Sequence, residues 1–264
     1  MAKLTLKIVD KDKQIICERT GEDFVDLVYM HEYQEGDCIL VETDTRKIHL
    51  NLQVDDALGA AFVYLTDNLE YRIPFGEKRI CHSPKAFYGS RHYLYVEKTP
   101  EYHVQMYRNL ALNPADQHRN TFCYPHASAN VETRGESVFA AKNAIDGVRA
   151  NLSHGEWPYE SWGINRQKDA AIRIDFGRMI RTDRVVLYTR ADFPHDSWWT
   201  RVTLHFSDGS DIDWNLKKSS LPHVLEFPAK EITWISMDQL IKADDPSPFP
   251  ALSQIEVYGT VVDC

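Results

Sequence analysis

No run of apolar residues in the 264-residue chain approaches the about 20 needed to cross a bilayer as a helix. The opening Met1-Ala-Lys-Leu-Thr-Leu6 has no apolar leader and alternates like a strand. The chain as given is therefore expected in the cytoplasm, or outside the cell if a leader has been removed. Clusters of Lys and Arg are also missing, and the net charge is −9. Phosphate contacts need concentrated positive charge, so neither nucleic acid nor insertion into an anionic membrane is expected. Cysteine is sparse. Cys17, Cys38, Cys81, Cys123 and Cys264 are widely spaced, odd in number and form no C-x-x-C pair. Free thiols are expected, with no disulfide framework and no cysteine metal site. No G-x-S-x-G, H-E-x-x-H, P-loop or dinucleotide fingerprint occurs, and His82, His92 and His103 lack ligand spacing. The expectation is that the protein is not an enzyme.

Hydrophobic residues make up 43% and aromatics 11%, enough for a substantial core with rings to spare. The dominant period is two, as in Leu4-Thr-Leu-Lys-Ile-Val9, Lys47 to Val54, His92 to Val96 and Tyr102 to Met106. Ala171 to Phe176, Arg184 to Thr189, Arg201 to Phe206, His223 to Phe227, Glu231 to Ser236 and Ser253 to Tyr258 repeat it in the second half. Turn residues such as Ser207-Asp-Gly-Ser210 separate them. Many short alternating strands predict an all-β fold of two β-sandwich, jelly-roll-like domains. The polar segment Leu110 to Arg134, with Pro114 and Pro125, predicts the junction, giving domains 1–108 and 109–264.

The second half resembles the factor V/VIII type C (discoidin) domains and the related family 32 carbohydrate-binding modules. The landmarks are Asn109-Leu-Ala-Leu112, Ala140-Ala-Lys-Asn-Ala-Ile-Asp-Gly147 and Trp162. Ile174-Asp-Phe-Gly177, Thr182-Asp-Arg-Val-Val-Leu-Tyr188, Phe206-Ser-Asp-Gly209 and Glu256-Val-Tyr-Gly259 follow in the same order. Each is weak alone; together they imply a galactose-binding-domain-like sandwich. They do not name a ligand, because such folds host many functions. No named family is assigned to the N-terminal half.

The resemblance implies a calcium ion stapling the loop after Asp146-Gly147 to the last strand. Asp146 and Glu256 would supply carboxylates, with carbonyls near Asn143 and Ala150 and the hydroxyl of Ser153 completing an oxygen shell. The plainer alternative is that Asp146 caps its turn and Glu256 is a surface strand residue. The resemblance also clusters three loops at one end of the sandwich. They carry Trp157 and Tyr159, then Arg190, Asp192, His195, Trp198 and Trp199, then Phe249. Aromatic plates beside paired polar groups suit a glycan or oligosaccharide. The same loops could instead grip a protein, with aromatic side chains as anchors. A glycan-active enzyme is the third reading, and it would need two carboxylates about 5–9 Å apart.

Overall fold

The computed structural model describes residues 1–150, 155–191 and 197–262. The fold is all-β, and every strand pairing is antiparallel. Strands β1 (Lys3–Val9), β2 (Ile15–Glu22), β3 (Phe24–Tyr29), β4 (Cys38–Thr43) and β5 (Ile48–Gln53) open the chain. β6 (Ala61–Leu65), β7 (Leu69–Arg72) and β8 (His92–Lys98) follow. They form a four-stranded sheet, β2-β1-β4-β7, and a second sheet in which β6, β5, β8 and β3 are neighbours. Alternation decides the facing: Leu4, Leu6 and Ile8 of β1 and Ile48, Leu50 and Leu52 of β5 all enter one buried core.

The chain then weaves. Tyr102 to Met106, expected as a strand, forms a helical turn, α1 (Glu101–Val104), because Pro100 ends the preceding strand and leads the turn. β9 (Arg108–Asn109) pairs in the second half, but β10 (Cys123–Tyr124) returns to pair with β6 at the edge of the first half. β11 (His126–Ala129) and β12 (Trp162–Gly163) then belong to the second half. Residues 110–123 thus serve both halves: Ala115 and Cys123 lie in the first core, whereas Leu110 and Ala111 lie in the second.

The second half is built on long strands. β13 (Ile172–Thr189), β14 (Trp199–Phe206), β15 (Asp211–Asn215), β16 (His223–Lys242) and β17 (Ala251–Val261) lie in the order β12-β17-β13-β16-β14-β15. Pairs of segments expected as separate strands are continuous in β13 and β16. Their register shifts between Asp175 and Ile180, so the ladder turns a corner without ending. Gly177 makes that corner. Its φ is +65°, and a Cβ there would collide with the Tyr124 ring. The same bulge directs Arg178 across to the first half, where its guanidinium lies 5.2 Å over the Tyr64 ring. Arg108 lies 4.2 Å over Phe62. Two hydrogen bonds from Ser137 to Glu77 and one from the Lys142 ammonium to the Cys81 thiol add to this junction.

Candidate functional site

The end of β13 and the start of β17 are neighbours, because Thr189 pairs with Leu252. At this end of the sheet the chain surrounds a pocket of about 120 Å³. Four segments line it. The short turns after β11 supply Thr133, Arg134 and Phe139; the stretch from Ser161 to Arg166 forms the next wall; Arg190 lies beyond β13; Phe249 and Pro250 precede β17.

Local backbone geometry explains how the residues are held. Arg134, Asn165 and Arg166 have φ of +54°, +48° and +60°, the left-handed region that non-glycine residues avoid. Such strain costs on the order of 1–3 kcal/mol per residue and tends to gather at binding sites. Here three lining residues carry it. Thr133 is tied across the pocket, its hydroxyl accepting a hydrogen bond from the Asn165 backbone at 2.9 Å. Gly163 lets these walls meet: a Cβ on it would stand 2.6 Å from the Thr133 hydroxyl.

Apolar and polar groups alternate around the opening. The Arg166 guanidinium lies 4.5 Å over the half-buried Phe249 ring. Arg134 reaches toward Phe139 at 5.7 Å and is held by a bidentate ion pair with Glu136 at 2.6 and 2.7 Å. Ser161 is fully buried, and its hydroxyl has no hydrogen-bond partner among the described residues. A buried polar atom of that kind calls for a partner from outside the chain.

Of the eight side chains expected to touch a ligand, Phe249 and Arg190 line this pocket. Arg190 is buried and donates through Nη1 to the Tyr159 carbonyl at 2.5 Å, so it props the wall as well as lining it. Tyr159 is buried behind Phe139, edge-on at 6.5 Å, and supports that ring without lining the pocket. Trp199 is fully buried in the second core, which corrects its expected place at the ligand: the first residue of β14 points inward and its neighbour outward. Trp198 and Trp157 are half-buried and are not among the lining residues. Asp192 and His195 lie outside the described residues. Thr133, Arg134, Phe139, Ser161, Asn165 and Arg166 were not anticipated. They sit in irregular segments with no periodicity to read, and the one available signal is Arg166, four residues after the Trp162 landmark.

The expected metal ligands take another form. The Asp146 carboxylate accepts hydrogen bonds from the Gln254 amide at 2.7 Å and the Val148 backbone at 2.8 Å. The same Gln254 amide donates to the Asn143 carbonyl at 2.5 Å and accepts from the Gly147 backbone at 3.0 Å. Glu256 is paired with Arg149, at 2.6 Å from Nε, and accepts from the Tyr258 hydroxyl at 3.0 Å. Ala150 is exposed, and Ser153 lies outside the described residues. Each carboxylate already has its own donors, so this arrangement does not fit a shared calcium shell; the ion would have to displace Gln254 and Arg149. Burial, reinforced by Glu160 nearby, pushes the Asp146 carboxyl well above the ordinary carboxylate range. Burial raises Glu160 as well.

The family model described as "Domain of unknown function (DUF7402)" matches residues 123–258, just over half of the chain. No curated protein matches the sequence. Among solved structures, the chain is similar to chitosan-binding module 1 of a chitosanase/glucanase from Paenibacillus sp. IK-5. That match has 19% identity and a TM-score of 0.40 over 57% of this chain and 98% of that one. It is similar to the family 32 carbohydrate-binding module of C. perfringens NanJ in complex with galactose, at 17% identity and TM-score 0.38, covering 50% and 91%. It is also similar to the lectin domain of lectinolysin complexed with Lewis B antigen, at 16% identity and TM-score 0.43, covering 58% and 97%.

Proposed function

The chain belongs to the family described as Domain of unknown function (DUF7402), and within it we propose a non-catalytic carbohydrate-binding protein that takes a glycan residue in the pocket beside Phe249. The observation that carries this reading is the pocket's mixed, concave lining. A pyranose presents an apolar C–H face and a rim of hydroxyls. Phe249 and Phe139 supply apolar surface, and Thr133, Ser161 and Asn165 supply hydroxyl and amide groups among the lining. A recess favours a sugar, whereas a protein partner would favour a flat aromatic surface. The hydrogen bonds that close the turns at Arg134, Asn165 and Arg166 hold the walls before any ligand arrives, which lowers the ordering cost of binding.

A single site of this size should bind in the millimolar to micromolar range, about 4–8 kcal/mol. A glycan array followed by titration of the best hit tests the reading. Phe249→Ala is expected to weaken that hit by about tenfold or more while the circular dichroism stays that of a β protein. A blank array from folded protein, or a hit indifferent to Phe249→Ala, overturns it.

We further propose that Gln254 and Arg149 perform the stapling expected of calcium. A ligand that binds only the folded state must raise its melting temperature. Melting curves in calcium and in EDTA are therefore expected to coincide. A clear rise with calcium would mean that the ion displaces these two side chains.

A further inference from the structure

We propose that the pocket selects an acidic sugar, one bearing a carboxylate or sulfate, over its neutral counterpart; this rests on the reading of the pocket as a glycan site. The chain carries a net charge of −9, yet three of the pocket's lining residues are arginines and, among the described residues, none is Asp or Glu. Neutral sugar hydroxyls both donate and accept, so a site built for them needs acceptors as well as donors. This lining is dominated by donors, which match a group that only accepts.

The three guanidiniums have different duties. Arg190 is committed in part to the Tyr159 carbonyl, and Arg134 is gripped by Glu136. Arg166 is exposed, makes no ion pair among the described residues, and lies over the face of Phe249. A ring that holds the flat guanidinium by its face leaves its edge of N–H groups open, the geometry that accepts a two-oxygen anion. The left-handed backbone at Asn165 and Arg166 forms the turn closed by the hydrogen bond from the Gln167 N–H to the Ile164 carbonyl at 2.8 Å, and it places Arg166 at the pocket. The buried Ser161 hydroxyl below offers a further donor.

The test uses the full chain and three probes: a uronic-acid trisaccharide, its carboxyl-reduced neutral form, and a sulfated trisaccharide. At least one acidic probe is expected to bind about tenfold or more tightly than the neutral one. That advantage should shrink as salt rises, because the arginine is exposed. Arg166→Gln should bring acidic and neutral probes to equal affinity, and Arg166→Lys should keep part of the preference. The stronger of the two acidic probes identifies the anion. Equal binding of acidic and neutral probes by the unaltered chain, independent of salt, overturns the charge inference. The pocket survives that result if Phe249→Ala still weakens both. Indifference of all binding to Phe249→Ala, or no binding by any probe, removes the pocket reading and this inference together.

Discussion

Trp162→Ala is expected to lower the unfolding free energy by about 3–5 kcal/mol, the range for emptying a fully packed tryptophan site. Trp162 is completely buried in the second core, and its indole N–H donates to the Val131 carbonyl at 2.9 Å. The substitution therefore removes apolar contact and leaves a partly buried acceptor without its donor. Its position enlarges the consequence. Trp162 opens β12 and pairs with Leu252 of β17, and the next residue is the glycine through which the pocket walls meet. Collapse around the lost ring should loosen Ser161 and Asn165, so glycan binding should weaken along with stability. Trp162→Phe should recover much of the packing but not the hydrogen bond, and should fall between the two. Urea unfolding of the three proteins gives the order. Alanine costing under about 1 kcal/mol would mean the ring is not the keystone of this end of the sandwich.

The strands were legible because their signal is local. Leu4, Leu6 and Ile8 alternate, and they point into one core. Ser207 to Ser210 reads as a turn and forms one: Gly209 has φ of +84°, and the Asp208 carboxylate accepts from the Ser210 backbone. The Asp-Phe-Gly landmark marked a strand end by resemblance, but its physical role is a corner inside β13 that needs glycine beside Tyr124. Period two cannot distinguish a strand that stops from one that bends, which is why segments expected as separate strands run on through β13 and β16. The return of Cys123 and Tyr124 to β6 was equally invisible, since a two-residue strand has no period.

The site was legible only in part. Aromatic residues near the end of the chain drew attention to Phe249. Trp199 has the same composition signal, but its parity in β14 sends it inward. The pocket's other walls depend on backbone conformations at Arg134, Asn165 and Arg166 that side-chain identity does not announce. Calcium calls for oxygen ligands, so the carboxylates of Asp146 and Glu256 stand out in the sequence; Gln254 and Arg149, the neutral and cationic donors that meet them, carry no such signal.

That staple yields the other large effect expected here. Gln254→Ala should cost about 2–4 kcal/mol, because the buried Asn143 carbonyl and the partly buried Gly147 N–H lose their partner at once. The Asp146 carboxylate also loses a donor. The loss should depend on pH, with a sign that follows from linkage. Asp146 is raised in the folded state, so its contribution to stability is complete below the ordinary value of 3.8 and is lost as pH rises through the folded one. Gln254 holds that folded value down by donating to the carboxylate, and removing it lets the value climb further. The mutant should therefore be penalised less near pH 4 than at pH 8. Asp146→Asn should be flatter with pH than the unaltered chain. His205, where Asp238 and Asp211 outweigh burial and raise the imidazole, also loses stability as pH rises, but it titrates alike in all three proteins and cancels in the differences. Urea unfolding at four or so pH values from acid to mildly alkaline makes the measurement. An identical cost of Gln254→Ala at every pH would show that Asp146 is not coupled to the amide. A cost under about 1 kcal/mol throughout would show that the turn does not depend on this staple at all.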